Sequence, residues 1–201
     1  MGSIERIFPS LNEAAGIALL DLDEAVRVRE LGWRGPILLL EGIFDTRDVE
    51  TADRHRLTVT VHCDDQIDLL AAAKPRQHIN IQLKMNSGMN RLGFPSGRLS
   101  KCARGSVRAS KIEAIGEIGL ITHFADADRS ANDASIDWQI DEFDAATENL
   151  PGTRSLSNSA AGRCCGIRAR TATGSGRGRF STAHRRRAAH GISSACHCAP
   201  R

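Results

Sequence analysis

Short apolar, β-branched runs alternate with stretches of helical periodicity along most of the chain, and this alternation constrains the fold more than any other feature. "GIALLD" (Gly16–Asp21) is an apolar run, and Asp21 and Glu24 then sit three apart, as at a helix N-terminus. Leu22, Val26 and Leu31 fall on one helical face, and Gly32 suits the position just past a helix end. Gly35 and Pro36 break the chain before "ILLLEG", a buried-strand pattern; "LTVTVHC" (Leu57–Cys63) is β-branched and alternating. Asp64 can cap a helix through Ile67, Leu70 and Ala73. "INIQLKMN", "IGLITHF" and "RSLSNS" continue the strand series, and "DWQIDEFDAATENL" sets Ile140, Phe143, Ala146 and Leu150 near one helical face. Strands separated by helices pair in parallel through right-handed crossovers. Six such strands without a glycine-rich phosphate loop favour α/β architecture of the barrel kind, part of a (β/α) barrel, over a dinucleotide fold. The order of strands within the sheet is not legible at this level.

Charge divides the chain. The net charge of +3 covers 27 basic and 24 acidic residues, but residues 162–201 carry nine Arg and no acid, and residues 95–110 carry four bases and no acid. The remainder holds 14 bases against all 24 acids. Five of the six cysteines, Cys102, Cys164, Cys165, Cys196 and Cys198, lie in the same two stretches, leaving Cys63 in the body. A bias confined to segments needs an explanation separate from the fold. No apolar run approaches the roughly 18 residues of a membrane span, and "MGSIERIFPS" has no signal-peptide core. The expectation is a cytoplasmic chain without membrane contact.

The chemistry concentrates in "QLKMNSGMNRLGF" (Gln82–Phe94), a strand that ends in Lys84 and a glycine-containing loop that holds Arg91. Polar groups at the C-terminal ends of barrel strands face the active side of such folds, although a solvated Lys and Arg would read the same way. "LKMNSGMNRLGF" closely resembles the signature loop of alanine racemases, the pyridoxal-phosphate enzymes that interconvert L- and D-alanine and supply D-alanine for the cell wall. "LLDLDEAVRVRELGWRGPILLLEG", "THFADAD" and "SLSNSAA" resemble the same family in order and spacing, over about residues 4–94 and 110–161. The resemblance implies that Arg91 contacts the phenolic-oxygen side of the cofactor and the substrate carboxylate, a task its planar fork suits. It implies that Lys84 orients that arginine, carbamylated in many family members and replaced by Asn in some. His123 matches a histidine beside the cofactor ring; taken alone it reads as a strand-end histidine bonded to backbone. Asn158 and Ser159 match the strand end that contacts the cofactor and its phosphate; taken alone they read as a turn.

Departures from the family pattern carry equal weight. The family's Schiff-base lysine sits after the first barrel strand, in a segment like KANAYGHG, which these 201 residues do not contain. Lys84 and Lys74 do not stand at the matching position. The family's second base is a tyrosine from the C-terminal β domain of the partner subunit, and the sequence has no Tyr. The expectation is a partial (β/α)8 barrel, about strands 2–7, over residues 4–161. It would lack strand 1 and the β domain, expose two sheet edges, dimerise poorly and be catalytically incompetent, with weakened pyridoxal phosphate binding.

The two basic stretches share a reading. Family members continue past SNSAA with a segment like LWHPxAHxDWVRPGI, and synonymous codons exist by which residues from Gly162 onward, read one base off, spell LLWHPGAHGDWVRPG. The same shift applied to "PSGRLSKCARGSVR" permits PERPAFEVRAWERAR, a plausible charged helix of the kind expected between barrel strands 5 and 6. On this reading residues 95–109 and the tail 162–201 are out of frame, the tail is disordered, and the arginine that would pair the pyridine nitrogen is lost. Three other readings compete, the first a non-catalytic cofactor-binding remnant of the barrel in which binding would rest on Asn158, Ser159, His123 and Arg91 alone. The arginine-rich tail suits nonspecific phosphate contacts with nucleic acid, though Phe180 is its sole aromatic. "CC", "CHC" and the tail histidines suggest metal, but their spacing fits no common structural zinc pattern, and no metal is expected.

Overall fold

All strand pairings are parallel, and the long strands lie side by side in the order in which they occur along the chain. The computed structural model describes residues 4–11, 14–96, 105, 108–125, 133–148, 150 and 153–157. A short helix α1 (Ile4–Ile7) and a 3-10 turn (Phe8–Leu11) precede β1 (Ile17–Leu19) and α2 (Leu22–Glu30). Then come β2 (Ile37–Leu39), α3 (Thr46–His55), β3 (Thr58–Val61), α4 (Asp64–Ala72) and β4 (Ile79–Asn86). After these come β5 (Phe94–Pro95), β6 (Ile115–His123), α5 (Asp133–Thr147) and β7 (Thr153–Ser157). The sheet order is β1-β2-β3-β4-β6-β7, with two-residue β5 alongside the end of β4. A dinucleotide fold reverses direction at a switch point. Here the chain winds one way throughout, as in a barrel, and the partial-barrel expectation holds.

The two faces of the sheet differ. Leu39, Val61, Ile81, Leu83 and Met85 turn toward the helices and share one core with Val28, Val49, Ile67, Leu70 and Phe143. Each such side chain fully buried contributes about 1.5–3 kcal/mol. The opposite face is thinly apolar: Ala18, Leu38 and Ile121 cluster with Leu40. By strand alternation Thr60, Gln82 and Lys84 share that face. Helices on one side and mixed polarity on the other are what a barrel wall requires, with the second face turned to the lumen.

Local chemistry explains most element ends. Asp21 Oδ1 accepts from the N–H groups of Asp23 and Glu24 at 2.7 and 3.0 Å, and Gly32 takes φ +99 just past α2. The buried face of α2, however, is Ala25 and Val28, while Leu31 caps the helix and is exposed. Packing against the sheet selects the small Ala25 over Val26. Asp64 is the first residue of α4 rather than its cap; Cys63 holds the cap position and makes no side-chain cap bond. Helix α3 carries only Val49 and Ala52 as buried residues, too few to announce it by periodicity; Asp45 starts it by accepting from Asp48 N–H at 2.9 Å. At the edge of the sheet away from the strand C-termini, Arg29 ties two helix ends together. It donates to the carbonyls of Trp33, Gly35, His55 and Arg56.

Candidate active site

The C-terminal ends of β3, β4 and β6 bring the polar residues together. Val61 pairs with Leu83, so His62 stands beside Lys84; Lys84 in turn pairs with Ile121, and Thr122 with Met85, so His123 stands beside Asn86. Lys84 is buried, at 9% exposure. Arg91 lies exposed in the loop that follows β4.

That loop is built to return on itself. Asn86 Oδ1 accepts from the N–H groups of Gly88 and Asn90 at 3.1 and 3.0 Å, and Asn86 Nδ2 donates to Asn90 Oδ1 at 3.0 Å. Asn90 takes φ +56 and Gly93 φ +119. A Cβ on Gly93 would stand 2.8 Å from Asn86 N and Met85 C, so only glycine lets the returning chain pass this close to β4. Phe94, buried at 2% exposure, then pins the loop. Below it, the hydroxyls of Ser87 and Thr122 meet at 2.7 Å, and Thr122 donates to the Met85 carbonyl at 3.0 Å. Arg91 is thereby held within electrostatic reach of both Lys84 and His123.

The electrostatics follow from this crowding. Burial first, then Lys84 and Arg91, push the His123 imidazole down to about 4, so it is neutral at pH 7. Burial and Arg91 lower the Lys84 ammonium, with Glu41 opposing. His62 is lowered chiefly by burial, with Lys84 adding to the effect. Among the described residues, Lys84 and Arg91 meet Glu41 as the opposing acid at these strand ends, beside a neutral imidazole, and such an excess of positive charge attracts anions.

Of the residues singled out in the sequence, Lys84, Arg91 and His123 come together. β7 ends at Ser157, which pairs with His123, and Asn158 and Ser159 lie outside the described residues. Residues 97–104 and 162–201 also lie outside them. Sequence reasoning missed His62, Asn86 and Gln66. The first two carried a signal, each being a polar residue directly following an alternating β-branched or apolar run. Gln66, which accepts from the His62 backbone N–H at 2.8 Å and donates to the Glu41 and Ile43 carbonyls at 3.1 Å, carried none, because these bonds reach into a neighbouring loop. Among the described residues no group of His, Cys, Asp and Glu could hold a metal, and no helix is long and apolar enough to cross a membrane.

Fold and site together define a barrel-wall segment of the (β/α) class with a cationic edge. The family model described as "Alanine racemase, N-terminal domain" matches residues 2–170, and the chain belongs to the alanine racemase family. The alanine racemase of Albidiferax ferrireducens is 54% identical over 158 residues, 79% of this chain and 41% of the relative. That of Paracidovorax citrulli is 53% identical over the same share of each. The chain thus spans about two-fifths of the length of these curated relatives. Among solved structures, the biosynthetic alanine racemase from Pseudomonas aeruginosa superposes with a TM-score of 0.71 at 34% identity, over 80% of this chain and 44% of that one. A histidine racemase from Leuconostoc mesenteroides superposes with a TM-score of 0.63 at 25% identity, over 74% and 41%.

Proposed function

We propose that the described barrel segment forms the substrate-carboxylate and cofactor-facing wall of an alanine racemase, with L- and D-alanine as substrates, pyridoxal phosphate as cofactor and a homodimer as the assembled state. The observation that carries this reading is the convergence of Lys84, Arg91 and His123 at the strand ends of a parallel sheet that winds one way. The residues suit the cofactor. A neutral His123 can lie against an aromatic ring without charge, and Arg91 offers donors to a phenolic oxygen and to a carboxylate. Asn158 and Ser159 would serve the phosphate. When bound, the cofactor supplies the electron sink that acidifies the substrate Cα–H. Arg91 binds and orients the carboxylate, and Lys84, as amine or carbamate, fixes the guanidinium from below. His123 excludes water from one side of the ring.

The same reading separates binding from turnover. Lys74, Lys84, Lys101 and Lys111 are the lysines of the 201 residues, none of them matching the family's Schiff-base position, and there is no Tyr. The 201 residues alone are therefore expected not to racemise alanine, since positioned acid–base groups account for about 10²–10⁴-fold of rate before any covalent route is counted. D-alanine formation by the purified chain with added pyridoxal phosphate tests this, and turnover at an ordinary enzymatic rate refutes it. Borohydride reduction that fixes the cofactor to a lysine, located by mass spectrometry, refutes it as well.

The charge and cysteine bias of residues 95–110 and 162–201 supports a second inference, that residues 95–109 and 162–201 are read in a shifted frame. Nucleotide sequence across codons 94–110 and 158–190 decides it. A shifted frame that does not spell the family segments ends the idea.

A further inference from the structure

One side chain of helix α5 meets both loops that carry the candidate site. Gln139 is 1% exposed. Its Oε1 accepts from the Ala125 N–H at 2.9 Å, and its Nε2 lies 3.5 Å from the Ala125 carbonyl. Ala125 stands just past His123, beyond the last ladder pair of β6, so the Gln139 amide meets its N–H and carbonyl as a neighbouring strand would. Nε2 also lies 3.3 Å from the carbonyl and from the hydroxyl of Ser135, one turn earlier on α5. A flipped amide would set donor against donor at the Ala125 N–H, so this arrangement fixes the orientation.

The same side chain packs against the loop after β4. A Cβ on Gly88, at φ +146, would stand 2.9 Å from Gln139 Cγ and from Trp138 Cζ3, so glycine is what lets the loop lie this close to α5. Gly88 is not an isolated contact. Its N–H and that of Asn90 both donate to Asn86 Oδ1, so Gly88, Asn90 and the Arg91 that follows belong to one turn. The helix behind them is firmly seated, with Ile136, Ile140 and Phe143 buried.

We propose that Gln139 is a positioning residue: bonded to Ala125 and packed on Gly88, it braces the loops after β6 and β4 against α5 and so sets the spacing between His123 and Arg91. The role deepens the racemase reading and rests on it, since there Arg91 holds the substrate carboxylate and His123 flanks the cofactor ring. The brace also accounts for how two groups on separate loops keep a fixed relation. The strand ladder orders His123 and the end of β4, whereas Arg91 lies beyond its reach and takes its place from the turn that Gln139 supports.

The first test is made on the unaltered chain by NMR. The Ala125 amide is expected to exchange at least about tenfold more slowly than in a free peptide, and Gln139 Hγ to show a nuclear Overhauser contact to Gly88 Hα. A freely exchanging Ala125 amide, or no such contact, overturns the proposal. The second test uses Gln139→Met, which keeps Cγ and bulk but removes the bonds to Ala125. Lys84 and Arg91 are the charged groups that act on His123, together with burial. A loosened brace hydrates the ring and moves Arg91 away, so the His123 midpoint is expected to rise from about 4 by about 1 pH unit, with a shifted Arg91 Nε–H resonance. Arg29→Met, at the opposite edge of the sheet, is the control: it should weaken the fold and leave both readouts in place. A His123 midpoint unmoved in Gln139→Met, or moved equally in Arg29→Met, overturns the proposal, because a glutamine that only adds stability would lower the urea midpoint and leave His123 alone. None of these measurements involves pyridoxal phosphate or turnover. Failure of cofactor binding with the brace intact therefore counts against the proposed function alone.

Discussion

Acidification from pH 7 to 5 is expected to weaken the folded chain through His123. The ring has an ordinary value of 6.5 and lies at about 4 in the folded chain. Above 6.5 it is neutral in both states and contributes no pH dependence. Between 6.5 and 4 the unfolded chain takes up a proton that the folded chain refuses, so stability falls with falling pH; below 4 both states are protonated and the slope ends. At pH 5 these two values give about 2 kcal/mol of lost stability. The ring is only partly buried, and solvent screening reduces the loss to about 1 kcal/mol. Urea unfolding at pH 7 and pH 5, followed by far-UV circular dichroism, measures it. His62 and the other histidines contribute slopes of their own, so the informative comparison is with His123→Gln, which keeps a polar side chain and removes the titration. The variant should lose about 1 kcal/mol less than the parent over this interval. Equal losses would refute the claim that Lys84, Arg91 and burial together disfavour a charged His123.

Other substitutions probe the scaffold. Arg29→Met keeps the length but removes donors to four carbonyls; urea denaturation should show a loss of about 2–4 kcal/mol, and a loss below about 0.5 would show the clamp to be idle. Gly93→Ala forces a Cβ to 2.8 Å from backbone at φ +119; a loss of about 2 kcal/mol or more is expected in the same assay, with displaced Arg91 resonances by NMR. Gln82→Met should be neutral or stabilising by up to about 1 kcal/mol in thermal unfolding, because the buried Oε1 of Gln82 has no hydrogen-bond partner among the described residues. Destabilisation beyond about 1 kcal/mol would show that this oxygen is satisfied, as by an ordered water.

The strands were legible because their runs are either continuously apolar or strictly alternating, and "INIQLKMN" matches β4 residue for residue. The sheet order was not, since it depends on how each crossover packs rather than on any one run. The face of α2 was misassigned to Val26 and Leu31 because Leu22, Ala25, Val26, Val28 and Leu31 offer more than one apolar stripe; packing buries Ala25 and Val28. Lys84, Arg91 and His123 emerged from strand-end position and family resemblance together. His62 was visible only as the end of "LTVTVH", and Gln66 as an ordinary helix residue, since their chemistry lies in contacts between loops that sequence spacing does not encode. Arg29 shows the same limit: nothing around it announces that it will meet the ends of two helices.

The serial order of the sheet has a consequence for how such a segment comes apart. Each strand–helix unit leans chiefly on the unit before and the unit after it, so the wall behaves as a short stack of neighbours rather than an all-or-nothing enclosure. Stability in such a stack is a sum of unit and junction terms, with cooperativity limited by the weakest junction. The β1–β2 and β2–β3 ladders are brief, spanning three and two registered pairs, whereas β4 and β6 share six and β6 and β7 five. Unravelling should therefore begin at β1 and travel inward, and hydrogen exchange should retain protection last along β4 and β6, the strands that carry Lys84 and His123.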